Sequence, residues 1–198
     1  MYVGFKRMKI QPFAADGTPD GDLIIIEGKT NKGATSTAEI SGLSKEATKV
    51  AGSDIAYYIS RKGVGDVKSD FGILDLPLDA QYRILGYHTD ETNKLTYIGS
   101  DTEAPYCGVV LESSDAQSNK AVFAFFKGTF SMDKVSLKTL DPNETFKPEA
   151  ESYSFSAIAT DAAGPQNGQY VVQYFGKDGD EAFTTLENQV LLTPAPKA

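Results

Sequence analysis

The chain has 198 residues, with 19 Lys+Arg against 27 Asp+Glu, a net charge of −8 and 40% apolar residues. That length suits one domain with its own core, and the composition is that of a globular chain rather than a disordered one. A single cysteine, Cys107, and a single histidine, His88, exclude an internal disulfide, a multi-cysteine metal site and any two-histidine metal site.

The first ten residues carry Lys6, Arg7 and Lys9 with no apolar run behind them. No secretory leader is therefore expected, and synthesis is expected in a reducing cytoplasm. Leu23-Ile24-Ile25-Ile26-Glu27, set between Gly21 and Gly28, predicts a short strand, and residues 30–36 read as a polar loop. Residues 44–70 read as a long loop or hairpin built around a strand at 54–60, which holds Tyr57, Tyr58 and Ile59. A short helix is predicted over 76–85. Asp75 is placed to cap it, Pro77 lies in its first turn, Leu78, Tyr82 and Leu85 share one face, and Gly86 suits the left-handed position that ends it. Helices that short need a sheet to pack on. Further strands are predicted at 105–113, 120–132, 152–157 and 170–175. Strands recurring every 10–20 residues with turn residues between them predict a mainly β chain, a sandwich or barrel with one short flanking helix. A single domain is expected over 1–193, with a disordered tail at 194–198. No apolar run approaches the length of about 18 residues that a membrane span requires.

Chemistry is sparse. Gly28-Lys29-Thr30 lacks the earlier glycine of a phosphate loop, since position 23 is Leu23. Gly63-Val64-Gly65 has Lys68 where a dinucleotide fingerprint needs its third glycine. His88 follows a helix end among polar residues, and Cys107 sits among apolar ones, where a buried and unreactive thiol is expected. The aspartates of 16–22 and 178–181 do not have the spacing of a calcium loop and read as turns. No catalytic residue, metal or cofactor is assigned. Charge is unevenly divided: residues 1–99 hold 12 cations and 13 carboxylates, whereas residues 100–198 hold 7 and 14. Basic residues cluster only at Lys6, Arg7 and Lys9 and at Arg61 and Lys62, which is not the concentrated basic face that nucleic-acid binding uses.

Several segments, in order, resemble the major tail protein, or tail tube protein, of long-tailed bacteriophages of Gram-positive bacteria. They are Asp75-Leu76-Pro77 followed by Ile84-Leu85-Gly86; Ala104-Pro105-Tyr106-Cys107-Gly108-Val109-Val110-Leu111; Phe125-Phe126-Lys127-Gly128-Thr129-Phe130; and Thr145-Phe146 leading to Tyr153-Ser154-Phe155. The resemblance implies a tail-tube β-sandwich whose copies form hexameric rings. These stack into a conduit for genome ejection within the virion. It also implies tape measure, tail terminator and distal tail proteins as partners, DNA that passes through without specific binding, and no membrane. An acidic chain suits a conduit that must not hold its cargo. On this reading Tyr57, Tyr58 and Ile59, too apolar to be left in water, are expected in contact between stacked rings, with Arg61 and Lys62 meeting acidic surface on the neighbour. Glu112 and Asp115 are expected among the acidic groups facing the lumen. Two alternatives stay open: residues 44–70 as an ordinary hairpin within the sandwich, and the whole chain as a β-sandwich carbohydrate-binding or adhesion module.

Overall fold

The computed structural model describes residues 1–143 and 145–192, so the tail expected at 194–198 lies outside the described residues. Along the chain run β1 (Val3–Pro12), β2 (Ile24–Ile26), β3 (Ala34–Ser41), β4 (Thr48–Gly52), β5 (Ile55–Ser60), β6 (Lys68–Leu74), α1 (Leu78–Leu85), β7 (His88–Asp90), β8 (Leu95–Tyr97), β9 (Cys107–Ser114), β10 (Lys120–Ser131), β11 (Glu151–Ile158), β12 (Val171–Gly176) and α2 (Glu181–Leu191). The main sheet is antiparallel, in the order β2-β1-β9-β10-β11-β6-β3, with β12 also paired to β10.

The near-continuous apolar run Ala121-Val122-Phe123-Ala124-Phe125-Phe126 makes β10 a strand buried on both faces. Its first half pairs with β9 on one side and β12 on the other, while residues 127–131 pair with β11. One face points into the main core. There Phe71, Phe125, Phe130 and Phe155 interlock, with ring centroids 4.8 Å apart for Phe130 and Phe155 and 5.2 Å for Phe125 and Phe155. Offset rings at such distances add to what their buried area contributes. Strict alternation would send Phe130 to the face opposite Phe125. The register slips between Phe125 and Gly128, as at a β-bulge, and Phe130 enters the same core. The sheet curls far enough for β3 to return to β1, where the Thr35 hydroxyl donates to the Phe5 carbonyl at 2.7 Å.

The other face of β9 and β10 is covered by α2. Phe183, Leu186, Val190 and Leu191 pack on Val110, Val122, Ala124 and Phe126. Asp180 caps this helix by accepting from the Ala182 N–H at 3.2 Å. The close approach requires Gly108, since a Cβ there would lie 2.1 Å from the Val190 carbonyl oxygen.

The strands read from the sequence are present, and the structure adds others. The core strand β6, with Phe71 and Ile73 fully buried, was not expected and takes residues 68–70 from the loop or hairpin placed at 44–70; β7 and β8 were not expected either. The opening Lys6-Arg7-Met8-Lys9-Ile10-Gln11, to which no strand was assigned, is the core of β1, with Met8 and Ile10 inward. Residues 34–36, assigned to a polar loop, begin β3. One flanking helix was expected and two are present: Phe183, Leu186 and Val190 have helical spacing that the strand-dominated reading passed over. Within α1, Asp75 is not the cap. It takes a left-handed turn conformation at φ 50°, and Pro77 occupies the N-cap without a side-chain bond. Leu78 is exposed rather than packed, and Ile84 joins Leu85 as the buried anchor. Gly86 does end the helix in the left-handed conformation, at φ 69°.

Cys107 is fully buried, and burial pushes its thiol up to about 12. Native protein should therefore resist a thiol reagent at pH 8 for hours and react within minutes in denaturant, read by absorbance. Gly108→Ala should force the end of α2 off the sheet. The expected loss is about 2 kcal/mol, seen as a fall in Tm of roughly 4–8 °C by circular dichroism.

Candidate assembly surface

Two hairpins stand outside the main sheet. In the first, β4 and β5 pair Thr48 with Ser60, Lys49 with Ile59 and Val50 with Tyr58. Ser53 and Asp54, at φ 53° and 62°, form the two-residue turn, whose paired positive φ values match the twist of a tight hairpin. The base is narrow: the Lys45 N–H donates to the Gly63 carbonyl at 3.3 Å, and the Gly65 N–H to the Gly42 carbonyl at 2.8 Å. Gly42 must be glycine, since its φ is 75° and a Cβ would lie 1.9 Å from the Asp66 carbonyl oxygen.

Among the described residues nothing of the body buries either face of this hairpin. Tyr57 is 81% exposed, and Val50, Ile55, Tyr58 and Ile59 are all at least half exposed. A two-stranded sheet alone is marginally stable in water, and large apolar side chains left exposed on both of its faces mark a contact surface. Arg61 and Lys62 are exposed at its foot, and neither has an ion-pair partner among the described residues. The five residues that sequence reading grouped here thus lie on one projecting element and its return strand.

The second hairpin joins β7 to β8 and pairs His88 with Tyr97. Its turn is held by Asp90, whose carboxylate accepts from the Thr92 and Asn93 N–H groups and from the Asn93 amide. These bonds, led by the Asn93 side chain, hold the Asp90 carboxyl below its ordinary value. Leu95, Tyr97 and Ile98 are at least half exposed, and Glu91, Asp101 and Glu103, close by in the chain, are exposed too. Sequence reading passed over this surface because no single run in it is long enough to attract notice.

The two acidic residues singled out from the sequence behave differently. Glu112 on β9 is not a free surface charge. It is 7% exposed and lies 2.9 Å from Lys9 and 3.2 Å from Lys120, with Arg7 at 3.7 Å. Lys9 also pairs with Glu187 of α2, and Lys120 pairs with Asp178 at 3.0 Å while its Nζ sits 3.6 Å from the Phe183 ring centroid. This network ties β1, β9 and β10 to α2. Burial pushes the Glu112 carboxyl up, but Lys9 and Lys120 outweigh it and the group ends below its ordinary value. Asp115 begins the turn from β9 to β10, where its carboxylate accepts from the Gln117 and Asn119 N–H groups and the Asn119 amide.

A carboxyl held low in the folded state stabilises above its unfolded value and loses that contribution on acidification. Glu112→Gln should therefore cost about 1–3 kcal/mol at pH 7, measured by urea unfolding. The gap to the parent protein should close as pH falls through and below 4.5, the ordinary value of a glutamate.

Among the described residues no helix is long and apolar enough to cross a membrane. Neither a curated protein nor a solved structure matches the chain. A family model described as phage tail tube protein matches residues 13–191, from just after β1 to the end of α2, and so takes in every strand named above except β1. That family is one of structural tail proteins rather than enzymes. On this match over most of its length, with a β-rich fold and a projecting hairpin, the chain belongs to the phage tail tube protein family.

Proposed function

We propose that this protein assembles as hexameric rings stacked end to end, with the β4–β5 hairpin as the arm that bridges one ring to the next. The observation that carries this reading is the hairpin itself. It keeps Tyr57, Tyr58 and Ile59 in water on a sheet too small to stand alone, at the end of a narrow base, in a chain of a tube-forming family. A contact made by unlike surfaces closes into a ring or runs on as a tube according to its rotation, and a tube of stacked rings uses both outcomes.

The stack is the conduit for genome ejection in a phage of a Gram-positive host. Its partners are other copies of itself, the tape measure protein within, and the terminator and distal tail proteins at its ends. Subunits are made in the host cytoplasm and reside in the virion. DNA moves through without being bound. The net charge of −8 supports this, because an attractive wall would slow a polyanion. Asp115, at a turn and without a lysine or arginine ion pair among the described residues, is the better of the two acidic residues for the lumen wall. Glu112 adds little there because lysines already balance it.

Removing 46–62 and joining Lys45 to Gly63 through a two-residue Gly-Asn turn tests the arm, because the base bonds already hold those ends together. The variant should keep its circular dichroism spectrum and remain folded. It should fail to form polymers that pellet in the ultracentrifuge or appear as tubes in negative-stain microscopy. Normal polymerisation, or loss of folding, would show that the hairpin is not a dedicated stacking arm.

A further inference from the structure

We propose that the acidic β7–β8 hairpin is the seat that receives the β4–β5 arm of the next copy of this chain. The inference rests on the arm reading above and adds to it the identity of the receiving surface.

Two observations converge on this pairing. The first is charge. Residues 45–62 carry Lys45, Lys49, Arg61 and Lys62 against Glu46 and Asp54, whereas residues 88–103 carry Asp90, Glu91, Asp101 and Glu103 against Lys94 alone. The arm is thus net basic and the second hairpin net acidic, and the four arm cations have no ion pair within the described residues. Complementary potentials of this kind steer encounter and fix register. The second is matching apolar surface. Leu95, Tyr97 and Ile98 are 51%, 52% and 68% exposed, so the seat offers apolar surface beside acidic residues to the face of the arm that carries the cross-strand pair Val50 and Tyr58. Unlike, complementary surfaces of this kind suit a head-to-tail contact between copies, which is the kind that propagates.

Charge reversal tests the pairing. R61E with K62E should reduce pelleted polymer at least tenfold relative to the parent chain at 0.1 M salt. E91K with D101K and E103K should do the same, and a chain carrying all five changes should recover at least half of the parent's polymer. Each variant is first confirmed folded by circular dichroism. The cysteine pair Y58C and Y97C should also give a disulfide ladder on oxidation of assembled material, since Cys107 is buried and stays out of the exchange. Parent-like polymer from the acidic reversal, no recovery in the five-fold variant, or absence of a ladder would overturn the seat. If arm excision abolishes tubes while the acidic reversal does not, the arm stands and the seat lies elsewhere. If neither change matters, the arm reading itself is wrong.

Discussion

A strand that is apolar on both sides has to be covered twice, and most of this molecule follows from that demand on β10. On one side the sheet curls so that β6, β11 and β1 wrap Phe125, Phe130 and their neighbours. On the other, where curling is no longer available, α2 supplies the cover. The slip between Phe125 and Gly128 reconciles the two, because it lets one strand give aromatic rings to a single core from positions that strict alternation would divide. The ion network around Glu112 sits on the face that α2 covers, so the helix is held there by charge as well as by apolar contact.

This hierarchy explains what was legible in the sequence. Runs such as Val109-Val110-Leu111 and Phe123-Ala124-Phe125 announce central strands because burial on two faces leaves no polar interruption. The projecting hairpin was legible for the opposite reason: Tyr57-Tyr58-Ile59 is an apolar island among Lys, Gly and Asp, with no neighbours to pack it. β1, β3 and β6 were missed because polar residues interrupt them, and at β3 only Ala38 and Ile40 lean on the core. The spacing of Phe183, Leu186 and Val190 was there to be read as a helix.

Charged residues were the hardest to place from sequence, and the reason is physical. Net charge is a sum, whereas function depends on which carboxylates remain unbalanced. Glu112 and Glu91 are alike in composition, yet one lies among lysines under a helix and the other stands in solvent beside exposed Leu95 and Tyr97. Only the pairing of distant segments, which brings Lys9 of β1 and Lys120 of β10 to Glu112 on β9, separates them.

The narrow foot of the projecting hairpin has an evolutionary consequence. Two backbone hydrogen bonds and one glycine seal it off, so its length can drift without disturbing the core. Side chains on a strand change faces at every step, so one extra residue on each strand would turn the Tyr57 side of the tip to where Tyr58 now points. Lineages that preserve its contacts should therefore gain or lose hairpin residues four at a time. Changes of two would mark descendants in which the distance or rotation between neighbouring rings has been reset.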